Sequence, residues 1–137
     1  MSKNSFWKYN LLLILFFFSY SIFAKDTKKL DIIYFFDETC VKCEAFAEEL
    51  SQIELENKNT INIQKYSINN LENIDLLEKY EQHFNIYGRE IPIVIAGEKF
   101  IAYPDNMGKS LRDEIDNFKK NREIKTPLFS IENEESQ

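Results

Sequence analysis

The chain has 137 residues, 17 Lys+Arg against 23 Asp+Glu, and a formal net charge of -6. That length suits one folded core rather than two, and the acidic balance argues against the basic face that nucleic-acid binding needs. Two cysteines exclude a disulfide-dense scaffold, and three glycines with three prolines exclude a collagen-like or Pro/Gly-rich chain.

Residues 1–24 read as a secretory signal. Lys3 and Lys8 form a basic start, residues 11–23 are an apolar run interrupted by two serines, and Ala24 is a small residue suited to cleavage. Ile22 stands where a smaller residue is commoner. The competing reading is a short, uncleaved membrane anchor, although a spanning helix needs about 20 apolar residues. In both readings the remainder lies outside the cytoplasm, because the positive flank stays inside. Contact with a membrane is expected only if the segment is retained.

Residues 30–36 (LDIIYFF) are β-branched, aromatic and nearly all apolar, the pattern of a strand buried on both faces. Asp37-Glu38-Thr39 breaks the run, Cys40-Val41-Lys42-Cys43 follows, and residues 44–56 read as a helix with Phe46, Ala47, Leu50 and Ile53 on one face. Residues 61–67 alternate apolar and polar, predicting a second strand. Leu71, Ile74, Leu77, Tyr80 and Phe84 recur at helical spacing. Residues 91–96 (IPIVIA) predict a third strand, Ala96-Gly97-Glu98-Lys99 a hairpin turn, and residues 100–103 a fourth strand. Residues 107–118 predict a last helix with Leu111, Ile115 and Phe118 as its stripe. Residues 121–137 hold one apolar pair, Leu128-Phe129, and read as a mobile acidic tail, with docking of that pair as the alternative. The order β-α-β-α-β-β-α implies an α/β domain over residues 25–120: a mixed sheet with helices on its faces.

The two cysteines carry the chemistry. Three residues apart at a helix start, Cys40 and Cys43 lie on one side, where their sulfurs can reach disulfide geometry. The free N–H groups of the first turn favour negative charge at Cys40, making it the attacking sulfur. Cys43, one turn in, is the shielded resolving thiol. A structural disulfide would close a ring too short to restrain much chain. A zinc site needs about four ligands, and the sole histidine, His83, falls in the second helix as a solvated or partly packed residue, so no resident metal is expected. A two-thiolate copper(I) site, or a non-enzymatic binding module, stays open as the alternative. Lys42, inside the motif, is a candidate for tuning the thiols, against Asp37, Glu38 and Glu44 of opposite sign; a merely solvated Lys42 is the other reading.

Three stretches (IIYFFDETCVKC, the Ile91-Pro92 strand opening, and FIAYPDNMGKSLRDEI) make the sequence similar to the thioredoxin-like superfamily across nearly all of residues 29–119, and more narrowly to its exported bacterial members, which would place it in a bacterial periplasm or outside the cell. The resemblance implies a thiol–disulfide oxidoreductase with Cys40 and Cys43 as redox pair. It implies a cis Ile91–Pro92 bond facing the sulfurs, with Ile91 and Pro92 presenting backbone to an extended substrate. It implies no bound cofactor. The partners would be protein disulfides or dithiols and a redox protein supplying or accepting electrons, with reduction of substrates slightly favoured. Two departures stand out. Thr39 precedes the pair and Val41-Lys42 lies within it, where thioredoxins carry Trp and Gly-Pro. Tyr34 occupies the place of the buried aspartate that helps move the resolving thiol's proton.

Overall fold

A computed structural model describes residues 28–131. The expected signal or anchor in residues 1–24 lies outside them. No helix among the described residues is long and apolar enough to cross a membrane.

The elements in chain order are β1 (Leu30–Phe36), α1 (Val41–Glu56), β2 (Ile61–Ser67), α2 (Leu71–Phe84), β3 (Glu90–Ala96), β4 (Lys99–Tyr103) and α3 (Met107–Lys120). The four strands form one mixed sheet in the order β2-β1-β3-β4. β1 pairs with β2 in parallel and with β3 antiparallel, and β3–β4 is an antiparallel hairpin. The expected α/β class and element order are therefore present.

The alternation of β1 builds two cores. Leu30, Ile32 and Tyr34 face one side, where they meet Phe46, Leu50 and Ile53 of α1 and Leu111, Ile115 and Phe118 of α3. Ile33 and Phe35 face the other, against Leu76 and Tyr80 of α2. Each fully buried large apolar side chain contributes about 1.5–3 kcal/mol relative to exposure. β1 consequently has no wet face, which is what its nearly continuous apolar run required.

The helices start where side chains satisfy their free N–H groups. Asn70 accepts from Glu72 N (3.0 Å) and Asn106 from Lys109 N (3.2 Å), while α1 uses a cysteine, Cys40, in that role. α2 ends on Asn85 in the left-handed region, φ 53°, a conformation asparagine tolerates. Pro92 has no N–H to give a ladder, and the β3–β4 register shifts between Glu90 and Ile93, around it.

Two expectations are corrected. Leu71 is not on the buried stripe of α2: it is 77% exposed, while Leu76, which the spacing argument omitted, is buried. The first turn tilts Leu71 outward, and the stripe runs through Leu76, Leu77, Tyr80 and Phe84. The tail is not free as far as Ile131. Ile124 packs on the first core. Thr126 takes the Gly97 N–H at 2.8 Å and donates its own hydroxyl to the Asp31 carbonyl. Tyr80 donates to Pro127 O (3.0 Å), and the Phe129 ring stands edge-on to Tyr80 at 4.9 Å. Burial pushes the Tyr80 phenol up to about 12, so it remains a donor. Of the apolar pair named above, Phe129 docks and Leu128 stays 57% exposed. A polar composition concealed this because the segment is held by scattered apolar residues, Ile124, Phe129 and Ile131, together with hydrogen bonds to distant elements.

Gly97 has φ +57°, and a Cβ there would meet Glu114 Oε1 at 2.3 Å and Ile124 Cγ2 at 2.8 Å. Gly88 has φ +64° with open space around it. Gly88→Ala should therefore cost about 1 kcal/mol for backbone conformation alone, and Gly97→Ala clearly more, compared by urea denaturation midpoints. Equal costs would mean that Glu114 and Ile124 yield freely.

Candidate functional site

The site lies past the carboxyl end of β1, where Asp37-Glu38-Thr39 delivers the chain into α1. Asp37 folds this turn: its Oδ1 accepts from Thr39 N (2.6 Å) and Thr39 Oγ1 (2.7 Å), and its carbonyl accepts from Cys40 N (3.3 Å). The bond from the Thr39 N–H, followed by that from its hydroxyl, holds the Asp37 carboxyl below its usual range.

Cys40 is the N-cap of α1, with extended backbone, and its Sγ accepts the Cys43 N–H at 3.1 Å. Cys40 is partly exposed and Cys43 is buried at 2% exposure; both are free thiols. The spacing argument is met with one adjustment: Cys40 stands just outside the first turn rather than within it, and the helix begins at Val41, earlier than the periodicity of residues 44–56 indicated. Burial first, then a bond to the Cys40 sulfur, pushes the Cys43 thiol up to about 11, against the opposing pull of the Asp37 backbone N–H. Cys43 is thus held protonated.

Tyr34 is part of the core and also part of the site. Its ring stacks on Phe36 (5.4 Å) and meets Phe46 edge-on (5.7 Å), and its hydroxyl donates to the Cys43 carbonyl at 3.1 Å. Burial, then the neighbouring Cys43 and Cys40, raises its phenol above the ordinary value, so it stays a donor. It lines a cleft with Asp37, Glu38, Cys43, Glu44 and Lys65 on the α1 side of the pair.

Lys42 points the other way. Its ammonium sits 2.9 Å from Glu90 Oε2 and 3.9 Å from the centre of the Tyr103 ring. The Glu90 hydrogen bond raises its pKa, keeping it charged. Its charge is therefore engaged at the start of β3 and the end of β4 rather than reserved for a sulfur. Neither Glu90 nor Tyr103 was singled out by the sequence; Glu90's place directly before Ile91-Pro92 was the available signal.

The Ile91–Pro92 bond is cis, as is Tyr103–Pro104, which the sequence reading did not anticipate. Ile91 lines a groove together with Cys40, Val41, Ile68, Leu77 and Arg89. Pro92 is itself buried behind that wall. His83 lies away from the sulfurs, exposed, against Phe84 and Phe129. No group of three or more metal-ligating side chains exists among the described residues.

Two outcomes follow from this geometry. Alkylation of the reduced protein, read by mass, should label Cys40 first at pH 8, because Cys40 is partly exposed and Cys43 is buried. Cys43 should resist until the pH approaches about 11, where its proton leaves. Simultaneous labelling at pH 8 would contradict the buried assignment. Tyr34→Phe removes a second donor from the Cys43 carbonyl, which the helix already bonds, and should cost about 0.5–1.5 kcal/mol in denaturant; no loss would mean that the intrahelical bond alone satisfies that carbonyl.

No protein-family model and no curated protein matches this sequence. Among solved structures, the X-ray structure of a structural-genomics target protein from Agrobacterium tumefaciens is similar, with a TM-score of 0.58 and 18% identity. The match covers 72% of this chain and 49% of that one, so this chain spans about half the neighbour's length. The likeness is one of α/β fold.

Proposed function

We propose that this chain is a thioredoxin-like thiol–disulfide oxidoreductase acting outside the cytoplasm and reducing disulfides of partner proteins. The observation that carries the reading is the asymmetry of the two sulfurs: Cys40 partly exposed at the helix cap, accepting the Cys43 N–H at 3.1 Å, above a buried Cys43. Such a pair divides the labour of exchange, one sulfur reaching a substrate and the other waiting beneath it. The strand order β2-β1-β3-β4 and the cis Ile91–Pro92 bond agree with the thioredoxin-like resemblance. The extracytoplasmic placement rests on the basic–apolar–small order of residues 1–24 alone.

In the reaction, the Cys40 thiolate attacks one sulfur of the substrate disulfide. That S–S bond breaks, a Cys40–substrate disulfide forms, and the other substrate sulfur leaves as a thiolate that takes a proton. Cys43 then gives up its proton and attacks the Cys40 sulfur, releasing the second substrate thiol. Two electrons pass from the Cys40–Cys43 dithiol to the substrate, and a partner protein must restore them. With Tyr34 in the aspartate's place, the bases lining the cleft beside Cys43 are the carboxylates of Asp37, Glu38 and Glu44.

Local charge supports the reducing direction. A strong oxidant stabilises the thiolate of its attacking cysteine. Here Lys42 is engaged by Glu90, and three carboxylates stand with Lys65 at the adjoining cleft. A reduction potential near about -270 mV is expected, and one near about -120 mV would reverse the assignment. Cys43→Ser should accumulate mixed disulfides with partner proteins through Cys40, and Cys40→Ser with Cys43→Ser should accumulate none. Stoichiometric copper(I) retention without such adducts would replace the redox reading by a metal-carrying one.

A further inference from the structure

We propose that the groove beside Cys40 selects polypeptide partners that carry a carboxylate next to their reactive cysteine, and that Arg89 is the residue that reads it. The inference rests on the exchange reading above and adds a specificity to it.

The groove has an apolar floor. Val41 is 79% exposed, and Ile68, Leu77 and Ile91 are half-buried along the same wall. Apolar side chains gathered at a surface next to a partly exposed thiol are suited to covering by a partner's own apolar residues. The floor draws on α1, α2, β3 and the segment after β2, so it extends away from Cys40 farther than a small thiol would cover. A polypeptide segment is the occupant that uses its length.

Charge supplies the selectivity. The cations at this wall are Lys42 and Arg89. Lys42 is committed to Glu90 at 2.9 Å and to the Tyr103 ring at 3.9 Å. Arg89 is exposed and, among the described residues, has no carboxylate partner. Its loop is nevertheless held in place. Ile86 N donates to Glu81 O (3.0 Å), and Gly88 N donates to Glu81 Oε1 (3.2 Å), tying the residues just before Arg89 to α2. A planar guanidinium presented from a fixed loop matches a carboxylate in two hydrogen bonds. The opposite side of Cys40 carries Asp37, Glu38 and Glu44 against one cation, Lys65, which is paired with Glu54 at 3.8 Å. An acidic partner residue is therefore favoured on the Arg89 side, which gives the bound segment a direction.

The test uses synthetic disulfide-linked peptides with an apolar residue and one variable residue, Glu or Lys, placed either before or after the cysteine. Rates with the reduced protein and with Arg89→Glu are measured by acid quench and mass. Each is divided by the same protein's rate with neutral 2-hydroxyethyl disulfide. At one of the two positions the Glu-to-Lys rate ratio should exceed one at low salt and fall about two- to fivefold in Arg89→Glu, the range for one exposed ion pair. Salt should compress the same ratio. A ratio unchanged by Arg89→Glu at both positions would overturn the inference while leaving exchange intact. Glutathione disulfide reacting as fast as the best peptide, with the same Arg89 dependence, would overturn the polypeptide assignment. No reaction with 2-hydroxyethyl disulfide would remove the exchange reading itself, and the selectivity with it.

Discussion

A strand that is dry on both faces dictates the rest of this molecule. Leu30, Ile32 and Tyr34 must be covered on one side and Ile33 and Phe35 on the other. One helix layer cannot do both, so the chain sends α1 and α3 to one face and α2 to the other. With neighbours paired along both edges, β1 can offer chemistry only at its ends. Its carboxyl end is where the Asp37 turn hands the chain to a helix whose cap is a sulfur. The location of the site thus follows from burial before any catalytic argument is made.

The same constraint divides the two sulfurs. Cys40 sits at the boundary between turn and helix and keeps access to solvent, while Cys43 points into the layer between α1 and the sheet. Tyr34 links strand to site: its ring belongs to the core, and its hydroxyl fixes the Cys43 carbonyl. A carboxylate at that position would need charge compensation in an apolar layer. The phenol does not, and it remains protonated. Lys42 performs a different task on the outer side, joining the start of α1 to Glu90 and Tyr103 at the end of the β3–β4 hairpin.

Much of this was legible in order. Short-period patterns located all four strands, because β1 and β3 are nearly continuous apolar runs and β2 alternates. The Cys-x-x-Cys after a buried strand located the site. What could not be read were contacts between distant residues. Lys42 and Glu90 are 48 positions apart, and Thr126 and Asp31 are 95 apart. Helical spacing misjudged Leu71 because a first turn can diverge from the face that the later turns bury. The segment after α3 was misjudged for a related reason. Composition weighs apolar content, whereas Thr126 and Pro127 are secured by hydrogen bonds whose partners lie on the hairpin, β1 and α2.

That last segment bears on how the protein is made. Residues 121–131 leave the ribosome after every strand and helix described above, yet Phe129 covers Tyr80, and Thr126 joins the hairpin turn to β1. Until they emerge, part of the apolar surface over α2 has no cover. A nascent chain in that state presents an adhesive patch. Synthesis therefore passes through an interval in which the sheet can already pair but its second face is incompletely sealed. A chain interrupted before Thr126 would remain in that interval and be a natural client for chaperones or proteases.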